Sequence, residues 1–113
     1  MRRMTEVVTL GALKTAERDR RVSAAAALGA ELAAYAASHG GRFLLYGSAA
    51  RGTMRHDSDV DILADFPPEA IDDAWVFAEE ACWRHHLPPD IRPKSSVGRD
   101  FLDRIGKDLK VLA

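Results

Sequence analysis

Cysteine is nearly missing from this chain. Cys82 is the only one among 113 residues. No internal disulfide can form, so apolar packing must hold the core, and a reducing cytoplasm is the expected compartment. Cys82 itself reads as a small buried hydrophobe. Long apolar runs are missing too. The opening MRRMTEVVTL carries two arginines, but no apolar segment of the length a signal peptide or a membrane span needs follows it. A soluble cytoplasmic protein is therefore expected. Neither sign of charge dominates: 16 Lys and Arg stand against 17 Asp and Glu, a formal net charge of -1. That excludes a field strong enough to recruit DNA or RNA by net charge, so any nucleic-acid role needs a local patch. There are no internal repeats, low-complexity linkers or blocks of like charge. A chain of this length buries one core, and residues 1–14 read as a loose lead-in to a single domain over 15–113.

Chemistry is concentrated in LYGSAARGTMRHDSDVDIL, residues 45–63. Phe43, Leu44, Leu45 and Tyr46 form a short apolar run ending at Gly47, as a buried strand entering a tight turn would. Ser48, Ala49, Ala50 and Arg51 can make one helical turn, and Gly52 closes it. A glycine leading into a helix start presents unpaired backbone N–H groups and the positive end of the helix dipole, which favours a phosphate. Ser48 adds a hydroxyl. After ten intervening residues come Asp59 and Asp61, at the entrance of a second strand, Val60 to Ala64. Strand alternation puts both carboxylates on one face and Val60 and Ile62 on the other. Two like charges roughly 7 Å apart along a strand repel unless something offsets them, and a divalent cation does so. Gly-Ser alone is common loop chemistry, and Asp-x-Asp alone is usually a solvated strand end. Together, in this order and each after an apolar strand, they point to metal-dependent phosphate chemistry.

These residues carry a resemblance. Gly47, Ser48, Asp59 and Asp61 match the Gly-Ser, ten residues, Asp-x-Asp signature of the DNA polymerase β-like nucleotidyltransferases. Arg51, Gly52, Ser58 and the run DVDIL look like the minimal nucleotidyltransferases of bacteria and archaea, which are commonly paired with a HEPN-domain protein as antitoxin and toxin. The resemblance is strong over 43–65, fair over 87–112 and weak before 40. It implies an α/β (α+β) palm-like fold, with a small mixed sheet of three to four strands packed with helices. It also implies a third acidic residue on a strand beside Asp-x-Asp, and Asp90 is the matching position. The match departs from the usual pattern, because Arg92 shares the face of Asp90 and Pro93 removes a ladder donor; an edge strand tolerates both. Asp65 and Asp100 are competitors for that role.

What the resemblance implies about activity is specific. Asp59, Asp61 and Asp90 would hold two Mg²⁺ or Mn²⁺ ions. Gly47, Ser48, Arg51 and Ser58 would bind the nucleotide. ATP is the implied donor and a tyrosine hydroxyl on a HEPN-domain toxin the implied acceptor. Larger relatives carry a further helical domain for the acceptor, and a chain of 113 residues is expected to share that task with a partner. Contact-only neutralisation, and transfer to a small molecule or RNA end, are the alternatives.

The remaining elements read as a scaffold. Thr15 to Ser38 is helical, with Val22, Ala25, Leu28, Leu32, Tyr35 and Ala36 along one side and Gly40 as the stop; a short extended piece is expected at Val7 to Leu10. Glu69 to His86 reads as a second helix whose Ile71, Ala74, Trp75, Ala78, Ala81 and Cys82 should face the sheet. Val76 and Trp83 sit among its charges, either as a docking spot for another chain or as apolar side chains lying on the surface. Adjacent His85 and His86 point about 100° apart on a helix, which argues against shared ligation. A short helix over Gly98 to Gly106, with Phe101, Leu102 and Ile105 inward, and a final strand within Asp108 to Leu112 complete the chain.

Overall fold

The computed structural model describes residues 9–112. A helix over Leu10–His39 (α1) opens the fold. Its start is set by Thr9, whose Oγ1 accepts a hydrogen bond from the backbone N–H of Ala12 at 3.0 Å, satisfying one of the four donors that a helix start leaves unpaired. Its end is set by Gly40, which takes the left-handed conformation, φ 72°. The lead-in expected through residue 14 is thus helical from Leu10, and of the extended piece expected at Val7 to Leu10, the first two residues lie outside the described range. The physical reason is that the first turns of α1 bury almost nothing, so they display no apolar period to read. Farther along, Leu28, Leu32 and Ala36 are buried and Ala25 and Tyr35 pack against them. Val22 departs from the expected inward face. It is largely exposed, on the rim of an open groove lined by Ala26, Gly29, Met54 and Lys110.

Four strands form one mixed sheet: Arg42–Tyr46 (β1), Val60–Asp65 (β2), Pro89–Pro93 (β3) and Lys110–Leu112 (β4), ordered β3-β2-β1-β4. β1 runs antiparallel to both neighbours, and β2 and β3 are parallel. A parallel pair needs a long crossover, and the helix Ile71–Arg84 (α3) supplies it. One residue pattern builds both faces. Phe43, Leu45, Val60, Ile62, Ala64 and Ile91 point to α1 and α3, where they meet Leu28, Leu32, Ala74, Ala78, Ala81, Cys82 and Leu87. Leu44, Tyr46 and Leu63 point to the other face, beneath Phe101, Leu102 and Ile105 of the helix Arg99–Ile105 (α4). Burial of one such side chain contributes about 1.5–3 kcal/mol.

The expected inward faces of α3 and α4 hold. Cys82 is fully buried, and burial pushes its thiol up to about 12. Pro93 ends β3 at the sheet edge, where no neighbour needs the donor it lacks. Among the described residues, no helix is long and apolar enough to cross a membrane.

Candidate active site

The C-terminal end of β1 and the N-terminal ends of β2 and β3 meet on the α4 face of the sheet. Register brings the acids together: Tyr46 pairs with Asp61 across the antiparallel ladder, and Asp61 pairs with Asp90 across the parallel one. Asp59, one period ahead of Asp61, shares that face. One carboxylate oxygen from each of Asp59, Asp61 and Asp90 lies within 4.8 Å of the other two. Asp90 has therefore come back beside the Asp-x-Asp pair from about thirty residues away in the chain. Its competitors are elsewhere. Asp65 is ion-paired with Arg42 at the far end of β2, 2.9 Å, and Asp100 lies on exposed α4.

The Gly-Ser turn is the fourth wall. Gly47–Arg51 form the single-turn helix α2, closed by Gly52 in the left-handed region, φ 75°. Gly47 is required twice over. Its own φ is +70°, and a Cβ there would sit 2.3 Å from Oδ2 of Asp61. Only hydrogen lets the turn lie against that carboxylate.

Crowding shows in the electrostatics. The Asp61 carboxyl is pushed from 3.8 up to about 7, first by burial and then by the charges of Asp59 and Asp90. Arg92 offsets this only in part. Its guanidinium pairs with Asp90 at 3.4 Å, is held above its usual value by that contact, and lies over the Phe101 ring, 5.2 Å from the centroid. Three oxygen donors sharing too much negative charge form the ligand set that hard divalent cations such as Mg²⁺ or Mn²⁺ take.

Residues 33–112, which include the acidic triad and the Gly-Ser turn, match the family model described as Nucleotidyltransferase domain. The chain belongs to the nucleotidyltransferase family. No curated protein matches it significantly.

Other residues singled out in the nucleotidyltransferase sequence fall less directly at the centre. Arg51 turns its guanidinium to Asp108 at 3.4 Å, and both side chains are partly exposed. The Ser58 hydroxyl accepts a hydrogen bond from the backbone N–H of Arg55 at 2.8 Å. It shapes the loop before Asp59. His85 pairs with Glu31 of α1, as does Arg84, which ties the end of α3 to α1.

Sequence reasoning passed over two features of the nucleotidyltransferase site. One is a clamp on α1. Glu17 receives Arg20 at 2.9 Å and Arg21 at 2.7 Å, and these contacts hold its carboxyl down to about 2. Arg21 donates onward to the Ser58 carbonyl at 2.6 Å, and Arg20 to the carbonyls of His85 and His86 at 2.8 and 2.7 Å. These are the segments that deliver Asp59 and Asp90. The run ERDRR, residues 17–21, was the signal, with opposite charges at helical spacing. The other feature is Tyr46, whose hydroxyl is buried on the acidic face without a hydrogen-bond partner.

Proposed function

We propose that this nucleotidyltransferase moves AMP from ATP to a hydroxyl, that the acceptor is a tyrosine of a HEPN-domain toxin, and that the chain acts in this way as an antitoxin. The observation that carries the reading is the triad of Asp59, Asp61 and Asp90, closed within 4.8 Å and faced by the Gly47-Ser48 turn. Two Mg²⁺ or Mn²⁺ ions held there would neutralise triphosphate charge and lower the pKa of the attacking hydroxyl. The chain's own groups do the rest. Asp59 and Asp61 would hold the cations that receive the reactive end of the nucleotide, and the backbone N–H groups at Gly47 and Ser48, with the Ser48 hydroxyl, bind its β and γ phosphates. Asp90 orients the acceptor hydroxyl and takes its proton. The acceptor oxygen attacks the α-phosphorus in line, the bond to the bridging oxygen breaks, and pyrophosphate leaves. Arg51 offsets the charge that develops. To do so it leaves Asp108, and an exposed pair at 3.4 Å holds it by less than about 1 kcal/mol.

Val76 and Trp83 support a protein partner. Both are more than half exposed on α3, 52% and 56%, and they lie seven positions apart on one helix face. A second reading has one observation in its favour: Arg92 on Asp90 supplies a cation from the protein itself, as a site retired from catalysis would. In that reading the chain neutralises its partner by contact.

One experiment separates them. The protein is mixed with Mg²⁺, each nucleoside triphosphate in turn and the product of the neighbouring reading frame, and the partner's mass is measured. An added nucleotide with ATP, lost on Asp59→Asn with Asp61→Asn, is the expected result. A double variant that transfers at the wild-type rate refutes the site. One that transfers nothing yet neutralises its partner at stoichiometric amounts selects the contact reading.

A further inference from the structure

β2 and β3 enter the site side by side, and little in the ladder itself holds the entrance of β3. Pro88 and Pro89 have no N–H, so the first rung is made from the other side, by the N–H of Val60 to the Pro88 carbonyl at 2.9 Å. Asp90 follows at once, opposite Asp61. What delivers it is a tight turn at the end of α3. The N–H groups of His86 and Leu87 return to the carbonyls of Trp83 and Cys82 at 3.0 and 2.9 Å, a helix-ending pattern that normally has glycine in its left-handed position. Here that position is His86, φ 53°, the only non-glycine residue with positive φ among the described residues. The strained turn puts Leu87 in the core, fully buried.

The carbonyls of this turn are where α1 reaches in. Arg20 donates from Nη1 to the His85 carbonyl at 2.8 Å and from Nη2 to the His86 carbonyl at 2.7 Å, while its Nε and Nη2 also grip Glu17 at 2.9 and 3.0 Å. Arg21 takes the same carboxylate at 2.7 Å and donates to the carbonyl of Ser58, next to Asp59, at 2.6 Å. Successive helix positions diverge by about 100°, which sends the two guanidiniums to different strands. Glu17, three and four positions earlier, lies between them. An ion pair of this spacing on an open helix surface contributes little. These arginines end instead on backbone carbonyls 65, 66 and 37 residues away, and the Arg21 side chain is only 15% exposed. The shared carboxylate keeps two like charges side by side. Arg20 and Arg21 hold it down to about 2, so it stays ionised in neutral solution.

We propose that Glu17 is a positioning residue of the acidic site: through Arg20 it fixes the entrance of β3, through Arg21 that of β2, and so it sets the spacing of Asp90 from Asp59 and Asp61. The inference rests on the reading of those three aspartates as a cation site. Register alone aligns Asp61 with Asp90, but carboxylates that share a small divalent cation need closer placement than a ladder lacking two donors provides. α1 supplies it from outside the sheet.

Mn²⁺ binding is measured by electron paramagnetic resonance on wild type, Glu17→Gln, Arg20→Gln, Arg20→Lys, the double variant Glu17→Gln with Arg20→Gln, and Asp61→Asn, together with the urea midpoint of each in chelator. Glu17→Gln and Arg20→Gln are each expected to bind about tenfold more weakly. The sign separates geometry from charge. Loss of an arginine near three acids favours a cation through the field alone, so an Arg20 that acted only by its charge would give tighter binding in Arg20→Gln. Arg20→Lys keeps the charge and the stem without the planar fork, and is expected to lose as much as Arg20→Gln. A merely structural clamp would lower the urea midpoint and leave the Mn²⁺ affinity of the folded protein alone. Because Arg20 is held by Glu17, the double variant should bind within about twofold of Glu17→Gln; losses that multiply overturn the shared hub. Mn²⁺ affinity within twofold of wild type in Glu17→Gln and Arg20→Lys, while Asp61→Asn loses it, overturns the positioning role and leaves the cation site standing. Asp61→Asn binding as wild type does overturns the cation site, and the role of Glu17 with it.

Discussion

Replacing Asp61 by asparagine should stabilise the cation-free protein at neutral pH. The reason is the proton that Asp61 holds. The unfolded chain releases it near 3.8 and the folded protein only near 7. Between those values the folded state binds more protons than the unfolded state, so stability falls as pH rises and reaches its low plateau above the folded value. A carboxyl whose value rises from 3.8 to about 7 loses roughly 4 kcal/mol across that window if it acts alone. It does not act alone. Its value is raised in part by Asp59 and Asp90, which share the titration, and the site opens to solvent. About 2 kcal/mol is the realistic figure. Asparagine keeps the shape and carries no charge, so its stability should be flat where that of wild type declines. Urea denaturation of both proteins in chelator, from about pH 5 to about pH 8, measures this. The paired carboxylates of Glu17 and Glu31, both held below their usual value by their basic partners, act in the opposite sense. They lose stability only as pH falls through their depressed values, below the chosen window. Adding Mg²⁺ should reverse the ranking at neutral pH, because wild type gains binding energy that the variant cannot. Equal stability and equal pH slope for the two proteins in chelator would refute the account of crowded charge.

Gly47→Ala should lower kcat/KM about 100-fold, the cost of misplacing a reacting group by an ångström or so. Its Cβ would displace the Asp61 carboxylate from 2.3 Å, and the left-handed backbone adds roughly 1–2 kcal/mol of strain; activity within threefold of wild type would count against the close approach. Arg21→Gln should leave the core intact while releasing the Ser58 carbonyl and, with it, the entry to Asp59. The loss of a charged hydrogen bond, about 1.5–3 kcal/mol, should appear mainly as a higher Mg²⁺ requirement in the transfer reaction, and an unchanged requirement would assign the clamp to folding alone.

Local chemistry made much of this molecule readable from its sequence. A continuous apolar run marked β1, because a strand covered on both faces has no polar side to show, and the alternation of Asp59 and Asp61 with Val60 and Ile62 assigned the faces at the start of β2. Gly47, Gly52 and Gly40 marked their turns because only glycine takes those backbone angles without cost. The Gly-Ser and Asp-x-Asp pair announced phosphate and cation because both halves lie within nineteen residues on adjacent strands. Where a segment buries nothing, the pattern was silent. The first turns of α1 and the outward tilt of Val22 could not be read, since whether a helical face is covered depends on what passes beneath it.

Tertiary structure decided the rest. The place of Asp90 is a matter of sheet register, fixed only when α3 carries the chain across and Ile91 docks in the core with Ile62. Arg51 turns to Asp108 and Arg21 to Ser58 through contacts 57 and 37 residues apart in the chain, which no local period encodes. The raised value of Asp61 and the stranded hydroxyl of Tyr46 are properties of burial and neighbouring charge. Sequence names the residues that can carry charge; only the fold determines how close those charges come and how much water is left between them.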